Sequence, residues 1–502
     1  MLISSARAGT GHTGEGGEGV EAVDPDDAVD IVIVGAGLAG LAAAHQLKGA
    51  GLRVRVLEAA PQVGGRMRTE RVDGYRLDRG PGLFSMGEDT EGFERLPALD
   101  PLALRPFAPG AVLHADGRTH KLTSPANRRQ PEPREGRPGR ESAGRSRTGR
   151  ATRTGIARFD RHTRGTRGAL TAARALTGAR SRADMSEALD LARLRAALAR
   201  FAAQPAEGLL ARPELPAAQA LSARGLPSRT VDTLVQPLLT ALLSDPGLTT
   251  SSRVADLTLR GFARGGLCVP AGGQAAVPEL LAAALPPGTL LTGVRVTSVS
   301  THAVTTERHG TFGCEAVLVA TGARSAAGLL PGLRVPGFHP VTVLHHATDE
   351  SPPHGPSFVV SAEAEGAGPV SHTWVTSAVD PSRAEPGRTL VTSVVLGEQA
   401  AEPPALLDKA ARQQLTGVYG ACADRWELLA AYHDPDAVPA MPAPHDPRRP
   451  VRVLSGLYVC GDHRDTSSPR GALSSAERAT REILRDFGRP TVREDTRATA
   501  AA

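Results

Sequence analysis

The chain is short of three things. Its only lysines are Lys48, Lys121 and Lys409, so nearly all its basic charge is arginine. Aromatic residues make up 3%, and Trp374 and Trp426 are the only tryptophans. Its four cysteines, Cys268, Cys314, Cys422 and Cys460, include no pair at C-x-x-C spacing. The first shortage leaves few candidates for a catalytic amine. The second makes an aromatic cage around a substrate cation hard to build. The third excludes a disulfide framework and a cysteine zinc site, so no metal is expected, and a reducing cytoplasm fits. Long apolar runs are missing too: none approaches the ~18 residues of a membrane span. The expectation is a cytoplasmic protein with no transmembrane segment. Peripheral membrane contact stays open, and the oligomeric state is not legible.

What is present is ordinary in bulk and uneven in detail. Hydrophobic residues are 40% and charged residues 22% of 502, enough for a sizeable core and, by length, for two or more domains. The net charge of +5 is concentrated. Between Arg128 and Asp184 stand sixteen arginines and five acids, which leaves the remainder mildly acidic. That stretch holds a single aromatic, Phe159, so base stacking has almost no partner and nucleic acid is not expected. With so few large apolar side chains, residues 124–184 read as an unstructured insertion. Residues 1–28, glycine-rich and acidic, read as a disordered leader, and 489–502 as a disordered tail.

The segment "VDIVIVGAGLAGLAAAHQLKGAGLRVRVLEA", Val29 to Ala59, reads as strand, turn, helix, strand. Gly35, Gly37 and Gly40 form G-x-G-x-x-G at the strand–helix junction. The first permits the tight turn, the second leaves room for a pyrophosphate, and the third lets helix and strand pack closely. Ala36, Leu38 and Ala39 complete the turn, whose N–H groups suit phosphate. Glu58 closes the second strand, with Ala59 next, and its carboxylate can accept both hydroxyls of a ribose. An acid there disfavours a 2′-phosphate. NAD and FAD remain open at this point.

The chain continues with Gly64-Gly65-Arg66, and then Gly74, Asp78, Gly80 and Pro81. Near the C-terminus "LYVCGDHRDTSSPRGALSSAERAT" carries Gly461-Asp462 and Gly471-Ala472. In this pattern the sequence resembles the flavin-containing amine oxidase superfamily, which includes protoporphyrinogen oxidases and phytoene-desaturase-like enzymes. The resemblance implies an α/β fold: a discontinuous Rossmann-like FAD-binding domain (29–90, 261–324, 451–488) with an inserted mixed α+β substrate domain (91–260, 325–450). It implies FAD as cofactor, with Arg66 and Asp462 near its pyrophosphate and ribitol. It adds Val296 in "GVRVTSV", and Ala320 and Gly322 in "AVLVATGA", as cofactor neighbours. A final helix led by Gly471 and Ala472 is expected to aim its N-terminal dipole at the flavin. The family's Ser-Gly on that helix is Ser475-Ala476 here.

No catalytic side chain is named. None of the three lysines lies in a suitable motif, and together with the few aromatics this favours dehydrogenation of a small, largely apolar substrate. The alternatives are an amine oxidase and an FAD-fold scaffold that binds polyanions through its arginine-rich segment. His463 and Arg464 beside the G-D pair read as ring-facing or as a solvated turn. His372 and Trp374 read as core. His345 and His346, adjacent on one strand, point to opposite faces and cannot share a metal. Cys460 reads as a small buried side chain.

Overall fold

The computed structural model describes residues 29–115, 117–122, 182–223, 230–363, 368–420 and 423–490. The leader lies outside these residues, as do the insertion up to residue 181 and the tail beyond residue 490. A helix, Arg182–Ala203, begins within the last three residues of the stretch read as the insertion.

Strand β1 (Val29–Val34) feeds helix α1 (Leu38–Gly49), which returns to β2 (Val54–Glu58) parallel to β1. The strand Leu290–Thr292 adds beside β2, Thr311–Val319 beside β1, and Leu457–Val459 beside that, all parallel. Strands from widely separated parts of the chain thus make one parallel sheet. Alternate side chains of β1 enter different cores. Ile31 and Ile33 pack with α1 and the last helix, Pro469–Asp486; Val32 and Val34 pack on the other face with Ala326 of the helix Ala323–Leu329. A parallel sheet covered on both faces needs such a continuous β-branched run. In register, Val34 pairs with Leu57 and Val319, and Val319 with Val459. The strands therefore end together, and the turns after them share one edge. The chain leaves β1 for β2 on one side and meets Thr311–Val319 on the other, a reversal that opens a crevice at the carboxyl ends.

A second sheet has seven strands, in the order Glu427–Pro439, Phe338–Thr348, Thr389–Leu396, Val370–Val375, Val359–Ser361, Ala111–Ala115, Arg118–Leu122, and two small sheets of two and three strands lie apart from both. The second sheet is antiparallel except where Val359–Ser361 meets Ala111–Ala115. Helices Gln236–Leu243 and Ser252–Gly265 pack on it through Leu238, Leu239, Leu259 and Phe262. This is the expected fold class, a Rossmann-like unit joined to a mixed α+β unit.

Buried polar groups stitch the two together. Asp78 accepts from Thr69 Oγ1 (2.6 Å), the Gln274 N–H (3.0 Å) and the guanidinium of Arg383 (2.9 Å), which is 1% exposed. His345 donates from Nε2 to the Asp78 carbonyl at 2.8 Å, while His346 turns away to Asp408 at 3.0 Å. Burial lowers the His345 pKa to about 4, so the ring stays neutral. Trp374 and His372 are core, stacked at 6.1 Å; the His372 Nε2 and the indole N–H have no partner among the described residues. Burial pushes the Cys460 thiol up to about 12, which keeps it protonated.

Candidate active site

Gly35 has φ +106°, open to glycine but strained for other residues. A Cβ on Gly40 would lie 2.0 Å from the Gly35 carbonyl oxygen, so α1 sits directly on the end of β1. A Cβ on Gly37 would meet nothing within 4 Å. Gly37 is also the uncapped start of α1 and bridges to Gly64, whose N–H donates to the Ala36 carbonyl at 2.8 Å. The two glycine segments therefore make one open cradle. Its shape and exposed backbone suit a pyrophosphate.

Glu58 accepts the Ala36 N–H (2.7 Å) and the Ala60 N–H (2.9 Å), which fixes its carboxylate on the same edge. A carboxylate has about four lone-pair sites, so capacity for a diol remains. Arg66 crosses to Asp462 at 2.7 Å and to the Ala437 carbonyl at 2.8 Å. Asp462 follows Gly461, whose φ is +139°; Ser475 on the last helix clamps that turn by accepting the Gly461 N–H (2.9 Å) and donating to its carbonyl (2.8 Å).

A single cavity of about 1530 Å³ runs along this edge. Small-ligand pockets are typically ~300–1,000 Å³, so a long ligand and a second molecule both have room. Gly35, Gly37, Leu38, Ala39, Glu58, Ala59, Gly64, Gly65, Arg66, Val296, Ala320, Gly322, Gly461, Asp462 and Ala472 all line it. Three expected residues do not. Ala36 is buried behind the turn. Gly40 is under the helix, and Gly471 packs on the Thr466 carbonyl, where a Cβ would come within 1.9 Å.

Beyond Gly80 and Pro81 the wall changes character. Leu83, Leu242, Leu243, Val254, Leu257, Phe262, Val341 and Met441 line it, and no lysine is among the lining residues. The lining thus combines backbone-rich glycine turns with a group of aliphatic side chains and the acids Glu88 and Asp89.

His463 is 3% exposed and does not line the cavity. Neither ring nitrogen has a partner among the described residues, and burial lowers its pKa to about 4. Arg464 turns to the Pro450 carbonyl. Neither side chain faces the cavity.

Two groups of lining residues had no motif to mark them. One is Tyr432, His433, Asp434, Asp436 and Ala437, on the edge strand Glu427–Pro439. The other is the acid pair Glu88 and Asp89, in "SMGEDTEG". Two adjacent acids just after the G-P segment were the only available signal. Glu88 is ion-paired with Arg260 and Arg470.

The family model for flavin containing amine oxidoreductases matches residues 38–484. Phytoene dehydrogenase of Streptomyces griseus is 41% identical over 98 residues, 17% of this chain and 19% of that protein. An L-amino-acid oxidase of Crotalus adamanteus is 57% identical over 49 residues, 10% of each chain. The chain thus matches these curated relatives over only a tenth to a fifth of their length. Cyclohexylamine oxidase from Brevibacterium oxydans IH-35A has a similar fold, with TM-score 0.59 at 17% identity over 92% of this chain and 100% of that structure. No helix among the described residues is long and apolar enough to cross a membrane. The chain belongs to the flavin containing amine oxidoreductase family.

Proposed function

We propose that this enzyme dehydrogenates a small, largely apolar organic molecule by two electrons. The carrying observation is the group of leucine, valine, phenylalanine and methionine side chains that line the cavity, with no lysine among the lining residues. Bound FAD supplies the acceptor for the electron pair. In this reading Glu58 and Val296 hold the adenosine end. Gly37, Leu38, Ala39, Gly64, Gly65 and Arg66 hold the pyrophosphate, and Gly461, Asp462 and Ala472 the ribitol and ring end. Ala36, Gly40 and Gly471 act from behind by fixing the turns. The aliphatic side chains exclude water and orient the substrate's carbon skeleton.

The test is anaerobic reduction of the bound flavin by a panel of hydrogenated polyenes, porphyrinogens and hydroaromatics, set beside a panel of amines. Bleaching by the first and silence in the second is the expected result; the reverse overturns the reading. The amine reading has one observation behind it: the Asp89 carboxylate lines the cavity and could face an ammonium group. The polyanion-binding reading rests on residues 124–184, which lie almost wholly outside the described residues.

A further inference from the structure

The last helix does not present unoccupied N–H groups in its first turn. Pro469 has none. The Arg470 N–H goes to Asp89 Oδ1 at 3.2 Å, the Gly471 N–H to Ser468 Oγ at 3.1 Å, and the Ala472 N–H to the Ser468 carbonyl at 3.0 Å. The place where the helix favours negative charge is therefore already held by a carboxylate of this chain. Asp89 is 7% exposed and lines the cavity with Pro81, Leu83, Ser468 and Ala472. Its Oδ2 accepts the Ser85 N–H at 2.7 Å.

We propose that Asp89 is the residue that binds a proton when the flavin is reduced, and that its charge sets how readily reduction occurs. The claim rests on FAD lying in this cavity.

The charges around Asp89 make the case. Beside it on its own segment is Glu88. Arg260, from the helix Ser252–Gly265, and Arg470, from the last helix, both pair with Glu88. Cys268, on the strand Leu267–Pro270, is the remaining titratable neighbour, and its thiol is pushed up to about 12, first by burial and then by Asp89. Among the described residues no cation pairs with Asp89. Burial raises its own pKa to about 6, against the two backbone N–H bonds that favour the anion. A reduced flavin carries new negative charge, and a carboxylate beside it opposes that charge. The substrate loses two hydrogens. One leaves with the electron pair to the flavin, and the other leaves as a proton. Uptake of one proton turns the Asp89 carboxylate into a neutral carboxyl, so the buried charge of the site stays constant.

The experiment uses the FAD-loaded chain and its Asp89→Asn variant, reduced electrochemically without oxygen. At pH 8 the wild type should take up more protons per flavin than D89N, by up to about one. The midpoint potential of D89N should be the more positive at pH 8 and should converge with wild type at pH 5. Equal proton uptake and equal potentials at both pH values would overturn the role of Asp89. If D89N fails to fold, the wild type alone decides. Infrared difference spectra with 13C-labelled aspartate should gain a protonated-carboxyl band on reduction at pH 8, and its absence overturns the role. A wild-type chain that takes up no FAD overturns the placement of the cofactor; a loaded chain with no proton uptake at Asp89 overturns only this proposal.

Discussion

Arg66 and Asp462 stand 396 positions apart in the chain and meet at 2.7 Å across the mouth of the cavity. The Arg66 side chain is 42% exposed, so the pair on its own adds little to stability. Its effect belongs in cofactor retention. Arg66→Ala should leave the melting temperature of the flavin-free protein nearly unchanged and weaken FAD binding about tenfold, as loss of one charge-assisted contact does. Asp462→Ala should act in the same direction, and the double variant should fall short of the sum, because the two share a partner. Titration of the flavin-free protein with FAD, followed by fluorescence quenching, checks this.

Two glycines in one turn should respond in opposite ways. Gly40→Ala drives a methyl into the Gly35 carbonyl, an overpacking that costs about 1–3 kcal/mol or more. Gly37→Ala puts the same methyl into open space at φ −79°, which alanine tolerates. The first variant should lose thermal stability, whether or not FAD is present. The second should melt like wild type without FAD and fail to turn yellow with it. Calorimetry and the absorbance of purified protein separate the two.

Asp89 should leave a mark on the pH dependence of folding. Its folded pKa, about 6, lies above the unfolded value near 3.8. A raised pKa means that the folded state binds the proton more tightly. The associated stability is complete below pH 4 and is lost as pH rises through 6, by roughly 3 kcal/mol. Urea denaturation of the flavin-free protein from pH 4 to 7 should show this slope, and Asp89→Asn should flatten it.

His372 should act with the opposite sign. Burial lowers its pKa from 6.5 to about 3. The folded state resists protonation, so stability is present above pH 6.5 and is lost as pH falls toward 3. Its Nε2 has no partner among the described residues, and its ring packs on Phe358 and Trp374. His372→Leu should therefore hold its melting temperature to lower pH than wild type, with little change at pH 7.5.

The glycine turns were legible because their constraint is local. Gly35, Gly64 and Gly461 need positive φ, Gly40 needs close approach, and neither demand depends on distant residues. The continuous β-branched run of β1, buried on both faces, was legible for the same reason. The edge strand Glu427–Pro439 was not. It contains Pro435, which cannot donate to a ladder and argues against a strand. It pairs on one side only, and its register slips between His339 and Val341, where Pro435, Asp436 and Ala437 bulge out. That bulge delivers the Ala437 carbonyl to Arg66. Asp89 was illegible for a different reason. Its burial and its hold on the Arg470 N–H arise from a helix almost four hundred positions away.

The parallel edge proposed to carry the cofactor has a consequence for biosynthesis. Its last strand, Leu457–Val459, can pair beside Thr311–Val319 only after residue 459 has been translated. If the flavin sits on this edge, its capture should wait until that strand has been made. Ribosome-bound nascent chains arrested before residue 457 should emerge colourless, however much riboflavin the cell is fed.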